Sequence, residues 1–376
     1  MMRKIEFYKH NINLKDKNEV QKVLNSIFLT TGDKVSEFEK KFAKYLGVKY
    51  CVGVTSCTEA LFLSLKGLGI RSGDEVITTP MSFIASSNTI EYCGTKPVFV
   101  DIEKNTGNIN AELIEKKINK KTKAILITHL YGQMCDMKKI SRIAKKHKLK
   151  LIEDCAHCIE GKRDGIRPGK MSDSACFSFY ATKNITSGEG GAIVTNNKTL
   201  YDWLIRARLH GMNKGASERY SKRYEHWDME FLGYKANMNN IQAALLLNQV
   251  SRIEKLLKQK EKIAKKYIMG FKNNSNIKIL KTIPNSKHAR HLYPIFVDPK
   301  KRDKLLNYLQ ENGIGVAVNF GPIHLMKYYR TKYNYKKGDF PNAEEFGAST
   351  ISLPFYPKLK DSETEYVIKT LNKFFS

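Results

Sequence analysis

Short apolar segments alternate with amphipathic helical segments along the first two-thirds of the chain, and this alternation restricts the fold more than any other feature. The apolar segments are four or five residues long and rich in β-branched residues, which is typical of buried strands. They cover residues 50–54, 75–79, 97–101, 124–128, 149–153, 176–179 and 191–195. Helical periodicity is found between them, over residues 59–68 and 137–148. Strands separated by helices predict an α/β domain built around a mostly parallel sheet.

The pattern changes at about residue 240, where a long amphipathic helix begins. It is predicted over residues 241–271 and is followed by shorter elements of both kinds. These are a strand at 292–297, a helix at 302–312, a strand at 315–318 and a closing helix from residue 362. We therefore predict a large domain over residues 1–245 and a smaller C-terminal α+β domain over residues 246–376.

The chain carries a large positive charge, with 65 Lys and Arg residues against 37 Asp and Glu residues and a formal net charge of +28. Such an excess raises the question of nucleic-acid binding. However, the basic residues are spread along predicted helices at the spacing of solvated faces, and no zinc finger, basic zipper or RNP-type motif accompanies them. We expect a Lys-rich surface that attracts anionic ligands such as diphosphates, and no nucleic-acid partner.

No apolar stretch approaches the roughly 20 residues of a membrane-spanning helix, and the N-terminus has no apolar signal core. We therefore expect a cytoplasmic protein without a membrane partner. The seven cysteines are odd in number and scattered through the first half, which argues against a disulfide framework. Cys155 and Cys158 form a C-x-x-C pair, the spacing of a redox couple or half a zinc site, but a second ligand pair is missing. We predict no metal site, and the role of this pair stays open.

Two of the predicted strands end in polar residues. After the strand at 50–54, a helix begins at once behind Ser56 and Thr58. Backbone N–H groups and the helix dipole at such a start favour a bound phosphate, although either residue can also serve as an ordinary helix cap. Asp154 follows another buried strand, at the edge where α/β proteins place ligands. Its carboxylate can pair with a protonated pyridine nitrogen, or it can simply cap the next turn.

Lys183 lies between a predicted strand and the Gly-rich turn at residues 188–191. A desolvated lysine has a lowered pKa and reacts readily with carbonyl groups, whereas the alternative is a solvated loop lysine. His157 lies three residues after Asp154 and can donate a hydrogen bond to the same ring system. Phe83 follows a strand and a proline turn, where its ring can stack on a pyridine or belong to the core. Together these residues predict pyridoxal phosphate (PLP) as the cofactor.

The chain resembles the DegT/DnrJ/EryC1/StrS sugar-nucleotide aminotransferases, a branch of the fold type I PLP enzymes, whose large domain is aspartate aminotransferase-like. The resemblance depends on residues 177–191, read together with Asp154 and residues 56–58. It extends along nearly the whole chain, from residues 29–39 to residues 352–354.

This resemblance implies a role for each residue of the motifs. Lys183 binds PLP covalently, and Asp154 pairs with the ring nitrogen of the cofactor. His157 contacts the phenolic oxygen, and Phe83 stacks on the ring. The residues that hold the phosphate are Ser56, Cys57, Thr58 and Ser178.

Residues 233–244 resemble the family stretch by which a neighbouring subunit reaches the phosphate, which implies a homodimer with shared active sites. Asn237 is the expected contact, although many members place the asparagine where this chain has Lys235. Thr31 and His324 are expected near the substrate, and the alternative for His324 is a surface histidine.

The implied reaction moves an amino group from an amino acid, expected to be glutamate, to a keto group of a nucleotide-linked keto-deoxy sugar. Such a reaction serves the biosynthesis of amino sugars and cell-surface glycans. Some relatives use the same fold and cofactor for sugar dehydration, and there a histidine replaces the lysine, so Lys183 argues against a dehydratase. A basic nucleic-acid-binding protein is the other alternative.

Overall fold

The computed structural model describes residues 4–215 and 226–376. The strands up to residue 195 are β1 (Tyr50–Val54), β2 (Glu75–Thr78), β3 (Lys96–Phe99), β4 (Thr122–Thr128), β5 (Lys150–Asp154), β6 (Lys162–Arg163), β7 (Ser174–Ser178) and β8 (Gly191–Thr195). Seven of them form one sheet in the order β1-β8-β7-β5-β4-β2-β3. Within it only β8 runs antiparallel to its neighbours β1 and β7. The predicted α/β fold with a mostly parallel sheet is confirmed.

Helices cover both faces of this sheet because its strands are apolar on both sides. Ile193 of β8 packs in the same core as Leu61, on one face of the sheet. The next residue, Val194, points to the other face and shares a core with Phe38 and Phe42. The helices are α1 (Leu14–Leu24), α2 (Asp33–Leu46), α3 (Cys57–Gly67), α4 (Ala85–Tyr92), α5 (Ala111–Ile114), α6 (Met137–Lys146) and α7 (Lys198–Ala207). Short 3-10 helices follow at Glu115–Lys117 and Leu130–Gly132.

The carboxyl ends of the parallel strands meet at one edge of the sheet. There β1 ends at Val54, β5 at Asp154 and β7 at Ser178. Gly191, at the start of β8, pairs with both Val54 and Ser178. The loops that follow β1 and β7 therefore lie side by side, and the motifs predicted to bind a cofactor are brought to the same edge.

The C-terminal third forms a second, smaller sheet. Its strands are β9 (Lys278–Ile279), β11 (Tyr293–Phe296) and β12 (Thr350–Leu353), in the antiparallel order β12-β11-β9, while β10 (Ser286–Lys287) pairs with β6. The helices are α8 (Asn240–Gly270), α9 (Pro299–Glu311), α10 (Lys327–Tyr333), α11 (Pro341–Ser349) and α12 (Asp361–Phe375), with a 3-10 turn at Ile323–Leu325. No helix within the described residues is long and apolar enough to cross a membrane.

The predicted strand at residues 315–318 is wrong. Its residues pair with two different neighbours: the Gly315 N–H donates to the Ile5 carbonyl at 2.8 Å, and Ala317 forms an isolated bridge with Ser352. A Cβ atom at Gly315 would lie 2.5 Å from the backbone nitrogen of Phe7, so the glycine permits this close approach. Apolar alternation alone does not show whether a continuous partner strand is present.

Helix α8 connects the two parts of the molecule. It begins with a capping box in which the Asn239 side chain accepts from the Gln242 N–H at 2.9 Å. Its first half packs against the large sheet through residues such as Leu246, and its second half packs in the C-terminal core through Tyr267. The predicted domain boundary near residue 245 falls inside this unbroken helix, so the division into residues 1–245 and 246–376 stays a prediction.

Candidate active site

Asp154 ends β5, and its carboxylate is buried and fixed in orientation. One oxygen, Oδ2, accepts a hydrogen bond from the Ser86 hydroxyl at 2.7 Å, and the other, Oδ1, accepts from the Ala156 N–H at 3.0 Å. Ser86 in turn lies 3.3 Å from the Thr128 hydroxyl at the end of β4. The Ala156 contact is the turn cap considered as an alternative, but the support from two other elements goes beyond a local cap. A carboxylate held in this way can face a cationic group at the sheet edge.

Lys183 lies in the loop between β7 and β8 and is partly buried. Its Nζ atom is 3.5 Å from Nε2 of His291. Burial lowers the pKa of its amine to about 8, and the Asp154 carboxylate opposes this shift. Near neutral pH a useful fraction of the amine is therefore unprotonated and nucleophilic, as covalent chemistry at a carbonyl requires.

His157 is buried next to this pair, with its ring centroid 4.3 Å from that of His291. Burial, reinforced by the positive charges of Lys183 and Lys260, lowers the pKa of His157 well below its usual range, so the ring is neutral. Its Nδ1 accepts from the Tyr131 backbone N–H at 3.3 Å, which places the single proton on Nε2. His157 is thus a hydrogen-bond donor, the property that the sequence interpretation requires.

The start of α3 forms an anion-binding corner. Ser56 is the N-cap, and its Oγ accepts from the Glu59 N–H at 3.1 Å. Within the described part of the chain, no acceptor faces the backbone N–H groups of Cys57 and Thr58. A Cβ atom at Gly191 would lie 2.3 Å from the Ser56 carbonyl carbon, so this glycine lets β8 pass directly beside the corner.

Ser178 completes this corner from the neighbouring strand, because it pairs with Gly191. Its Oγ accepts from the Tyr180 N–H at 3.3 Å, and its own O–H is left to donate. Two helix N–H groups and a hydroxyl, at the positive end of a helix dipole, suit a phosphate. The corner therefore has the donors that the sequence predicted.

Phe83 is 55% exposed and is linked to His157 through the ring of Phe320. Its ring centroid lies 5.9 Å from that of Phe320, which stacks in turn on His157 at 5.8 Å. The alternative of an ordinary core phenylalanine is wrong, because more than half of the side chain is open to solvent. Its stacking on a cofactor stays a prediction.

Asn237 lies beside the end of β1, where it bridges Val54. Its Nδ2 donates to the Thr31 hydroxyl at 2.6 Å, and the Lys235 Nζ donates to its Oδ1 at 2.7 Å. Thr31 donates onward to the Met238 carbonyl at 2.7 Å. Asn237 and Thr31, which were predicted for two different tasks, thus form one hydrogen-bonded group with Lys235.

His324 is fully buried in the C-terminal part, so the alternative of a surface histidine is wrong. Its Nε2 lies 3.0 Å from the Glu344 carboxylate, and its ring packs against Phe340 with 4.7 Å between centroids. This placement gives no support to the predicted contact between His324 and the substrate.

One group of side chains within the described residues has the composition of a metal site, formed by His129, Glu153 and Cys155. The His129 Nε2 lies 2.7 Å from Glu153, and its Nδ1 accepts from the Cys135 N–H at 3.0 Å. The second oxygen of Glu153 accepts from the Gly169 N–H at 2.9 Å. These hydrogen bonds already engage the His129 ring and the Glu153 carboxylate, so the group is better explained as a buried support of the sheet.

Four polar residues beside Lys183 were missed by the sequence analysis. They are Glu160, Asn184, Lys260 and His291. His291 lies 108 positions after Lys183, and Lys260 lies 76 positions after Asn184, so no local pattern connects them. The only signal was the pair of histidines at 288 and 291 ahead of a predicted strand.

Comparisons with known proteins agree with this geometry. A family model described as the DegT/DnrJ/EryC1/StrS aminotransferase family matches residues 10–372. This chain belongs to that family. It is 41% identical to the spore coat polysaccharide biosynthesis protein SpsC of Bacillus subtilis, over 97% of this chain and 96% of that protein.

Two further proteins are similar over 98% or more of their length. The GDP-perosamine synthase of Escherichia coli O157:H7 is 36% identical over 100% of both chains. The structure of Spr1654 from Streptococcus pneumoniae, solved in its PMP form, superimposes with a TM-score of 0.93 and 30% identity and covers 98% of both chains. PMP is the aminated form of PLP.

The chain is accordingly an aminotransferase that uses PLP, as the sequence predicted. Its own residues fit that cofactor: an amine of lowered pKa at Lys183, a fixed carboxylate at Asp154 and the phosphate corner at the start of α3. The family membership, the fold class and the cofactor are therefore confirmed. The role of each individual site residue stays a prediction.

Proposed function

We propose that this enzyme moves the amino group of glutamate to a keto group of a nucleotide-linked keto-deoxy sugar. The observation that carries the proposal is a Lys183 amine of lowered pKa together with a fixed Asp154 carboxylate at one sheet edge, in a chain that matches a GDP-perosamine synthase from end to end. We place the reaction in amino-sugar biosynthesis for surface glycans, because the name of another relative refers to spore coat polysaccharide.

When bound, PLP supplies an electron-withdrawing ring that takes up negative charge from the reacting carbon. The aligned Asp154 carboxylate would keep the ring nitrogen protonated, and the His157 Nε2–H would donate to the phenolic oxygen. The Lys183 amine would hold the cofactor covalently. When free, its unprotonated form would take a proton from the carbon on one side of the transferred nitrogen and return it to the carbon on the other side.

The backbone N–H groups of Cys57 and Thr58 would hold the phosphate, together with the hydroxyl of Ser178. The exposed ring of Phe83 would cover one face of the cofactor ring. Because these groups follow or end three different strands, they would orient the cofactor before the substrate arrives.

We also propose a homodimer in which Asn237 reaches the partner's phosphate. Three apolar side chains around the Thr31–Asn237 group are exposed: Ile27, Leu29 and Leu232. The Asn240 N–H donates to the Leu29 carbonyl at 3.1 Å, which ties this surface to the start of α8. A second copy of the chain would cover these side chains and remove them from water.

A reducing, cytoplasmic location is part of the proposal, since all seven cysteines are free and buried.

The experiment separates the two halves of the reaction. The PLP-loaded protein is first offered single amino acids without a sugar, and the change in cofactor absorbance identifies the donor. The aminated protein is then offered nucleotide-linked keto sugars that differ in the keto position, and the masses of the products are measured by mass spectrometry. We expect glutamate to be the fastest donor and one sugar to gain nitrogen.

Two results would count against the proposal. A product that has lost a hydroxyl group without gaining nitrogen would indicate the dehydratase alternative. Rapid amination of simple keto acids, with no reaction of any sugar, would place the substrate in another class. The Lys183→Ala variant is the blank for each measurement.

A further inference from the structure

A buried cluster of polar side chains lies behind Lys183 and has no part in the chemistry described above. We call it the Asn184 cluster, and it consists of Glu160, Asn184, Lys260 and His291. Glu160, Lys260 and His291 are only 1%, 4% and 5% exposed. Buried ionisable groups are unfavourable unless they perform a structural or chemical task, so their position beside the reactive amine calls for an explanation.

The amide of Asn184 has one possible orientation. Its nitrogen Nδ2 faces three acceptors: the two oxygens of Glu160 at 2.9 and 2.8 Å and the Ala289 carbonyl at 2.8 Å. Its oxygen Oδ1 faces the Lys260 amine at 3.1 Å. Exchanging the nitrogen and the oxygen would place a donor against the lysine and an acceptor against a carboxylate. The two charged neighbours therefore fix the amide.

A fixed amide fixes the proton of His291. The Asn184 Oδ1 lies 3.2 Å from Nδ1 of His291 and can only accept, so Nδ1 carries a hydrogen. Burial is the main reason why the pKa of His291 lies well below its usual range, and His157, Lys183 and Lys260 add to it. The ring is thus neutral, with a single proton on Nδ1, and its other nitrogen, Nε2, presents a lone pair to Lys183.

His157 and His291 therefore carry their protons on opposite nitrogens although their rings are only 4.3 Å apart. His157 accepts at Nδ1 from the Tyr131 backbone and donates from Nε2, whereas His291 donates from Nδ1 to Asn184 and accepts at Nε2. One ring is arranged to donate into the cleft and the other to accept from the lysine.

We propose that His291 is a positioning residue for the Lys183 amine: its Nε2 accepts a hydrogen bond from Nζ, and Glu160, Asn184 and Lys260 hold it in the accepting tautomer. No proton crosses to His291 in this role. When Lys183 is free, the hydrogen bond fixes one N–H of the amine and leaves its lone pair directed away from the histidine, toward the cleft. The inference depends on the role of Lys183 in the aminotransferase reaction and is independent of the sugar.

The charges around the cluster oppose protonation of His291. Burial lowers the pKa of Lys260 and raises that of Glu160, and each of these two groups limits the shift of the other. Several other ionisable groups lie near the cluster: Arg290 and His288 beside Lys260, Glu254, Tyr45 and Cys158 beside Glu160, and His157 and Lys183 beside His291. The charges of Lys183 and Lys260 both disfavour an imidazolium at His291.

The tautomer can be observed directly in the cofactor-free protein. Nitrogen-15 NMR of protein labelled only at its nine histidines distinguishes a ring protonated at Nδ1 from one protonated at Nε2. The His291→Phe and His157→Phe variants assign the two signals by their loss. We expect His291 as the Nδ1–H form and His157 as the Nε2–H form, both neutral at pH 7. An Nε2–H or doubly protonated His291 would overturn the proposal.

The effect on Lys183 is measured by its reaction with an amine reagent over a range of pH, again without cofactor, with the Lys183 peptide quantified by mass spectrometry. An acceptor stabilises the charged amine more than the neutral one, so we expect His291→Phe to lower the pH midpoint of labelling by about half to one unit. His291→Gln, whose side-chain oxygen can accept, should restore most of the shift. An unchanged midpoint in His291→Phe would contradict the proposal.

Two controls separate positioning from folding. His288→Phe changes a histidine that is equally buried in the same segment, and it should leave the midpoint unchanged. The pair Glu160→Gln and Lys260→Met, made together so that no single charge is left buried, should mix the two His291 tautomers in the NMR spectrum. Lys262→Met changes an exposed lysine of the same helix and should not alter the spectrum. All of these measurements use folded protein without a sugar, so a wrong sugar assignment would not affect them.

Discussion

The Asp154 carboxylate and the Asn237 amide are predicted to contact opposite ends of the cofactor, Asp154 in its own subunit and Asn237 in the partner subunit, yet they lie in very different surroundings. Asp154 is buried, and its two oxygens are held by Ser86 and by its own following turn. Asn237 is held by Thr31 and Lys235, next to apolar side chains that are open to solvent. A single chain therefore builds the reactive end of the site alone, but the phosphate end borders a surface that favours association.

The strongest test of this comparison is the removal of the reactive group itself. Lys183→Ala should lose covalent cofactor and all measurable turnover while the protein stays folded, because the covalent bond to the cofactor needs the primary amine of Lys183. Absorbance of the bound cofactor, with or without borohydride, and circular dichroism provide the measurements. The exposed Lys262→Ala serves as the matched control. A Lys183→Ala protein that turns over would refute the assignment.

The next test weakens the reactive end without removing it. Asp154→Asn should reduce turnover by about 10²- to 10⁴-fold while the cofactor stays bound, since the ring nitrogen loses its counter-charge. Ser86→Ala keeps the carboxylate but removes the hydroxyl at 2.7 Å, so we expect only about a tenfold loss. Steady-state rates at saturating substrate measure both effects. Equal losses in the two variants would mean that the orientation of Asp154, and not its charge, is what matters.

The phosphate end should respond to assembly instead. Leu232→Asp places a charge on a side chain that is 82% exposed, and we expect a monomer that binds cofactor about tenfold more weakly. Asn237→Ala should weaken cofactor binding to a similar extent and leave the dimer intact. Sedimentation and cofactor titration provide the two measurements. Met269→Asp, at the far end of α8, is the control. A fully active monomer would show that the comparison between the two ends is wrong.

The smallest effect concerns stability. The pKa of Lys183 is lowered to about 8 in the fold, so its proton is held less tightly than in the unfolded chain, where the usual value is 10.5. The free energy of unfolding therefore increases as the pH rises from 8 to 10.5, because the folded protein releases the Lys183 proton before the unfolded chain does. Below pH 8 the amine is charged in both states, and its burial lowers the free energy of unfolding. In cofactor-free protein, Lys183→Met should be more stable at pH 7 by about 1–2 kcal/mol after allowance for partial exposure. Urea denaturation should show that this gain disappears above pH 10.5.

The residues of the site also differ in how well the sequence predicts them. Strand ends and loop residues such as Asp154 and Lys183 stand in local patterns, because an apolar strand and its following polar residue are consecutive. Ser86 lies 68 positions before Asp154, and His291 lies 108 positions after Lys183, so only the folded chain brings them together. Residues 315–318 were misread for a related reason, because strand periodicity does not reveal whether a continuous partner is present.

The length of helix α8 has a mechanical consequence. The helix begins at Asn240, beside the surface proposed to meet a second chain, and carries Lys260 of the Asn184 cluster roughly 30 Å further along, at about 1.5 Å per residue. Because the helix is unbroken over this distance, a tilt imposed at its first turn would displace Lys260. A change at the proposed subunit contact would thus reach the neighbourhood of the reactive amine through one continuous helix, and a hinge motion between the two parts of the molecule would move that helix.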